Sequence, residues 1–170
     1  MYIIRKANSA DAAPLAELAE ETFRATFGAM NSIENMDSHC QSSYGKEIQY
    51  GEIVDLNTVT LVVEENKRLI AYAQLRWDSV PDCVCGNAPG EIQRLYVSSA
   101  YHGKGIAKNL MEACMQELKG LGKNVIWLGV WELNPRAISF YKKSGFVEVG
   151  EHVFTLGDDP QRDVIMQCVI

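Results

Sequence analysis

The sequence predicts an α/β chain, a mixed sheet with helices on its faces, folded as a single domain over residues 1–170. Three features carry that expectation. Runs rich in β-branched and aromatic residues alternate with segments of helical periodicity. Two pairs of runs are joined by connections too short for anything but antiparallel neighbours. One run, "NVIWLGVW", is apolar on both alternating faces, the mark of a central strand covered on both sides.

Taken in order, "YIIRKA" alternates weakly and reads as a first strand. Ser9 or Asp11 then caps a helix whose residues Leu15, Leu18, Ala19, Phe23 and Phe27 recur at helical spacing until Gly28 stops it. Between Asn31 and Asp55 the chain is polar and weakly periodic, and "SIENMDSHCQSSY" is expected as the second helix. Thr58 to Glu64 and Arg68 to Trp77 flank "ENK", a connection suited to a hairpin. "DSVPDCVCGNAPG" packs prolines and glycines closely enough to read as an exposed loop. "EIQRLYV" is the next strand, and Ile106, Leu110, Cys114, Leu118 and Leu121 mark one helical stripe ending near Gly120 and Gly122. "NPRAISFYKKSGF" supplies an Asn cap, Pro at the first helical position and a glycine stop at Gly145. "FVEVGEHVFTL" and "DVIMQCVI" close the chain as antiparallel strands joined by "GDDPQR".

Composition narrows the function. Apolar residues make up 47% of the chain and charged residues 22%, which excludes a disordered chain. No run is apolar enough to cross a membrane and the start lacks a signal-peptide pattern, so a cytoplasmic location is expected. A net charge of −6 argues against nucleic acid, whose phosphates require a basic face, and favours small cationic partners. Five scattered cysteines, with only "CVC" close together, lack zinc spacing, so reduced thiols and no metal are expected. His39, His102 and His152 are isolated and read as surface or loop residues. Cys114 lies on the apolar stripe, and Trp127 and Trp131 read as packing residues, with Trp131 and Glu132 at the border of a site. Asp158 and Asp159 read as a solvated turn.

The chemistry concentrates in "YVSSAYHGKGIAKNL", residues 96–110. A helix that starts directly after a strand leaves its first N–H groups unpaired, and the aligned peptide dipoles add positive charge there. Gly103 and Gly105 let backbone approach a phosphate closely, and Lys104 and Lys108 add cationic charge, so the turn is expected to hold a pyrophosphate. Neither the G-x-x-x-x-G-K-[ST] loop nor the G-x-G-x-x-G fingerprint is present, since Lys108 stands where the latter requires glycine.

"EIQRLYVSSAYHGKGIAKNLMEAC" resembles the acetyl-CoA motif of the GNAT superfamily of N-acetyltransferases, in which a strand, a Q/R-x-x-G-x-G/A loop and a helix cradle the pyrophosphate. Gly105 and Ala107 occupy the last two motif positions, and His102 replaces the usual Gln or Arg. "WLGVWELNPRAISFYKKSGF" resembles the second half-motif, including its Asn and Tyr positions, here Asn134 and Tyr141. The ending "GEHVFTLGDDPQRDVIM", taken with "WLGVWE", is similar to bacterial spermine/spermidine-type acetyltransferases.

The resemblance implies the acyl-CoA N-acyltransferase fold, with a splayed central sheet opening between Glu91–Val97 and Val125–Trp131. It implies acetyl-CoA as cosubstrate, with pantetheine pairing to the backbone of Leu95, Tyr96 and Val97 and touching Asn134. The pyrophosphate would lie on His102, Gly103, Lys104, Gly105, Ile106, Ala107 and Lys108. An N–H near Val97 would meet the thioester oxygen as it gains charge. Glu91 occupies the position of a catalytic glutamate in some members, as general base, and Tyr141 that of the usual general acid. Each has a plainer alternative: Glu91 as a solvated strand-end carboxylate, Tyr141 as a core ring, Asn134 as a helix cap. The expected partner is a small-molecule amine, favoured as a polyamine, in a chain that takes neither nucleic acid nor membrane and is compatible with a homodimer. Rival functions are a protein or peptide acetyltransferase acting on an N-terminus or lysine, a non-catalytic acyl-CoA sensor, and a nucleotide-binding module.

Overall fold

The computed structural model describes residues 1–170. In chain order the elements are β1 (Tyr2–Lys6), α1 (Ala12–Phe27), α2 (Ile33–Ser43), α3 (Lys46–Val54), β2 (Thr58–Glu65), β3 (Arg68–Arg76), β4 (Pro89–Val97), α4 (Ile106–Gly120), β5 (Val125–Trp131), α5 (Pro135–Lys143), β6 (Val147–Leu156) and β7 (Asp159–Val169). All seven strands form one sheet in the order β1-β2-β3-β4-β5-β7-β6. Only β4 and β5 pair in parallel; every other neighbour is antiparallel. The expected mixed α/β sheet is therefore present. No helix is long and apolar enough to cross a membrane.

Alternation along the strands divides the core. Leu61, Val63, Ala71, Ala73 and Leu75 face the stripe Ile106, Leu110, Met111, Cys114 and Leu118 of α4, while Val62, Leu69 and Tyr72 face Leu15, Leu18, Ala19 and Phe23 of α1. Helix α4 is thus on one side of the sheet and α1 with α2 on the other, and neighbouring residues of one strand serve both layers. Leu121, expected on the α4 stripe, is 43% exposed because the helix ends at Gly120.

Two local expectations change, and the expected first hairpin is present. Asp11, not Ser9, occupies the N-cap position of α1 but makes no side-chain cap bond to it; the side-chain cap comes earlier, from Asn8, which starts a short 3-10 turn, accepts from Ala10 N–H and donates its own N–H to the Asp11 carboxylate. Asp11 is freed to hold Arg5 at 2.7 and 2.8 Å. The polar stretch after Gly28 holds two helices, because Tyr44 turns into the core and ends α2, and Gln49 restarts the chain by accepting from Gly45 N–H and donating to Ser43. At the first hairpin, Asn66 and Lys67 both adopt positive φ, the requirement of a two-residue turn matched to strand twist.

Two features shape the centre of the sheet. The parallel contact between β4 and β5 lasts for only three residue pairs, Pro89 with Val125, Gly90 with Ile126 and Glu91 with Trp127. Beyond it the strands separate. A bulge at Gln93, where Gln74 pairs with Arg94 but Leu75 with Ile92, bends β4 away at the same level. The bulge also resets the alternation, so that both Gln93 and Arg94 face the α1 side, where neighbours ordinarily oppose.

Candidate active site

The splay leaves the facing edges of β4 after Glu91 and β5 after Trp127 without a strand partner. At its outer end stands the loop before α4. Gly103 and Gly105 take φ of +76° and +79°, in the left-handed region where a side chain is strained, and nothing lies within 4 Å of where a Cβ would project. Gly105 caps α4 with no side-chain hydrogen bond, so the first amides, from Ile106, Ala107 and Lys108, remain free for a ligand. An open, side-chain-free concavity backed by a helix start fits a pyrophosphate. Lys104 lies over the Tyr101 ring at 4.6 Å, and Lys108 is paired only loosely, with Glu112 at 3.9 Å.

His102 is exposed on this loop, with its ring turned toward the end of β4. Its Nε2 lies 2.8 Å from the Val97 carbonyl, and Arg136 of α5 approaches its ring at 3.3 and 3.4 Å. With Nε2 carrying the proton toward Val97, Nδ1 is left to accept from Arg136, which brings a guanidinium to the loop where the motif ordinarily has Gln or Arg. Of the three backbone positions expected to meet pantetheine, Val97 therefore has its carbonyl engaged by His102. Leu95 packs toward α4 and Tyr96 stacks on Tyr72 with centroids 5.8 Å apart.

Asn134 caps α5, accepting from Ala137 N–H at 3.1 Å, with Pro135 following. That helix places Tyr141 in the core, where its ring meets Phe140 and Phe146 at 5.4 and 5.9 Å. Burial, with the Cys114 thiol adding to it, pushes the Tyr141 phenol well above its ordinary range, and no partner in the chain holds the hydroxyl.

On the α1 side the splay opens into a cleft of about 330 Å³. Its walls are aromatic: Phe23, Phe27, Tyr44, Tyr96, Trp131 and Phe154. Phe27 packs on Trp131 at 5.3 Å and Phe23 stacks on His39 at 4.3 Å. Glu91 lies at its base, 5% exposed, hydrogen-bonded by Arg76 from β3. Burial raises the Glu91 carboxyl above its ordinary value and the Arg76 guanidinium opposes the rise. Arg94 is neutralised by Glu52 of α3 at 2.9 and 3.0 Å. From the β6–β7 hairpin come His152, Gln161 and Asp163, whose carboxyl is raised by burial with His152 opposing.

Several of these residues carry no local signal. His39 and His152 both line the cleft: His39 is half-buried and burial lowers its imidazole, whereas His152 stays exposed, as a surface residue would. Trp131 borders the cleft, whereas Glu132 pairs with Arg162 outside it. Trp127 packs under the loop residue Val84. Asp158 accepts from Asn35 at a tight hairpin, and Asp159 already belongs to β7. Arg76, Arg94 and Asp163 show no motif in the sequence; only strand register would bring them together.

The model of the acetyltransferase (GNAT) family matches residues 15–146. An uncharacterized N-acetyltransferase of Lactobacillus delbrueckii subsp. lactis is 31% identical over 150 residues, covering 88% of this chain and 87% of that one. A spermidine N(1)-acetyltransferase of Thermoplasma acidophilum is 30% identical over 147 residues, covering 84% and 86%. The crystal structure of the PaiA N-acetyltransferase of Thermoplasma acidophilum in complex with coenzyme A superposes with a TM-score of 0.81 at 27% identity, covering 100% of this chain and 99% of that one. With a family match over most of its length and a splayed sheet beside a glycine-built helix start, the chain belongs to the GNAT family and is an acetyl-CoA-dependent N-acetyltransferase.

Proposed function

We propose that this enzyme acetylates a primary amine of the polyamine class, with Glu91 as the proton acceptor and Tyr141 as the proton donor. The observation that carries the proposal is the cleft itself: an aromatic-walled cavity on the splay with Glu91 among its lining residues, while Tyr141 of α5 belongs to the core on the α4 side of the sheet. When bound, acetyl-CoA supplies an acetyl group activated as a thioester. The amides of Gly103 to Lys108 hold its pyrophosphate, assisted by Lys104, Lys108 and the His102–Arg136 pair, and Asn134 with the free edge at Leu95 and Tyr96 aligns the arm.

An alkylamine titrates near ~10 and enters largely as the ammonium, so a proton must leave before the nitrogen can attack. Glu91 receives it, directly or through one water, and its burial makes it a better acceptor than an exposed carboxylate. Arg76 opposes that burial and so favours the ionised form of Glu91. Tyr141 has the opposite task. Its raised phenol stays protonated at neutral pH, and a hydroxyl with no partner in the chain is free to donate to the departing sulfur.

The polyamine class is supported by the cleft chemistry and by the relatives. Aromatic faces attract cations, and both guanidiniums in the cleft are neutralised by carboxylates. The net charge of −6 favours approach of a polycation. Besides the Thermoplasma enzyme, a spermine/spermidine N(1)-acetyltransferase of Bacillus subtilis is 36% identical over 61 residues. The test is thiol release from acetyl-CoA across spermine, spermidine, simple monoamines and lysine or N-terminal peptides. Polyamines are expected to react best, and a panel in which peptides react and polyamines do not overturns the assignment.

A further inference from the structure

We propose that Asp163 determines acceptor specificity by binding a second ammonium of a diamine-type acceptor while Glu91 serves the reacting nitrogen. This rests on the polyamine reading above. Asp163 is the one cleft-lining carboxylate without an arginine or lysine partner. Glu91 is hydrogen-bonded by Arg76, and Glu52 behind the wall holds Arg94. The Asp163 side chain is only 16% exposed, yet its nearest donor atom is His152 Nε2 at 3.5 Å, longer than a good charge-assisted bond. A carboxylate withdrawn from water in this way calls for a donor, and the cleft is the direction from which one can come.

The fold puts it there deliberately. Trp131, Asp163 and His152 form one cross-strand row on β5, β7 and β6, on the same face as the cleft. The pair leans over Gly129: a Cβ at that position would lie 3.4 Å from Asp163 Oδ2 and 3.2 Å from His152 Cε1. Glu91 is level with Trp127 across the parallel pairing, whereas the Asp163 carboxylate is level with Gly129, two residues and about 7 Å further along β5. Two nitrogens joined by a three- or four-carbon bridge suit that separation, with the methylenes against Trp131 and Phe154. A monoamine would reach Glu91 and leave Asp163 unused.

The experiment is steady-state thiol release from acetyl-CoA with spermidine and with butylamine as acceptors, for the wild type, Asp163→Asn and Asp163→Glu, each checked for folding by thermal unfolding with coenzyme A. Removing the charge is expected to raise KM for spermidine about tenfold to a hundredfold, the range for losing a hydrogen bond to a buried charge. The kcat on spermidine and the kcat/KM on butylamine are expected to stay unchanged. Asp163→Glu, which retains the charge, is expected to keep the preference for spermidine. Equal losses on the two acceptors, or none on either, overturn this inference alone. A wild type that acts on monoamines but on no diamine or polyamine overturns it together with the reading on which it rests.

Discussion

Tyr141 separates packing from chemistry within one side chain. Its ring is buried between Phe140 and Phe146, whereas its hydroxyl has no partner in the chain. Tyr141→Phe therefore removes an oxygen that contributes no internal hydrogen bond, and stability is expected to change by less than about 1 kcal/mol. For a chain of this size that is a shift in Tm of at most about 4 °C. Tyr141→Ala also removes the ring and leaves a cavity, at a cost of roughly 3–5 kcal/mol. Activity should respond in the reverse order of conservatism: if the hydroxyl donates the proton to the leaving thiolate, Tyr141→Phe lowers kcat about 100-fold or more, with KM for acetyl-CoA little changed. The assays are thermal unfolding without ligand and thiol release at saturating acceptor. A Tyr141→Phe protein as active as the wild type removes the general acid, and one that loses several kcal/mol shows that the hydroxyl is held after all.

Two further outcomes follow from the same geometry. Gly105→Ala forces a side chain into a left-handed φ, at about 1–2 kcal/mol of stability, and projects a methyl into the open face before α4; calorimetric titration should show coenzyme A binding weakened about tenfold or more, and undiminished binding would refute the phosphate cradle. Burial raises Glu91 and Arg76 opposes it, so activity that needs ionised Glu91 is lost as pH falls through its titration. Arg76→Met removes the opposing cation, and the acid limb of the kcat/KM profile should move up by about one to three pH units; a limb that stays in place or moves down would exclude Glu91 as the group that titrates.

Local signals in the sequence carried a large part of this architecture. Ile106, Leu110, Cys114 and Leu118 announce α4 by spacing alone, and "NPRA" announces α5, because caps and stripes are decided within a few residues. The break between α2 and α3 was hidden because its causes are tertiary or polar: Tyr44 leaves the helix to fill the core, and the buried residue of α3 is Gln49, where an apolar side chain would be the readable sign. The site divides along the same line. Gly103, Gly105 and Asn134 act through backbone geometry near themselves. Arg76, His152 and Asp163 arrive from three strands, and their meeting depends on a bulge at Gln93 and on register that no single stretch encodes.

The match to the family model ends at Phe146, and β6 begins with the next residue. The ribbon that contributes His152, Phe154, Gln161 and Asp163 thus lies downstream of the portion by which kinship is recognised. The loop before α4 lies wholly within that portion, whereas the cleft is shared, most of its lining coming from the same portion and the rest from the closing ribbon. On the proposed role of Asp163, replacements on that closing ribbon would redirect the enzyme toward a new amine while leaving the loop before α4 intact, so close cousins by signature need not share a metabolic task.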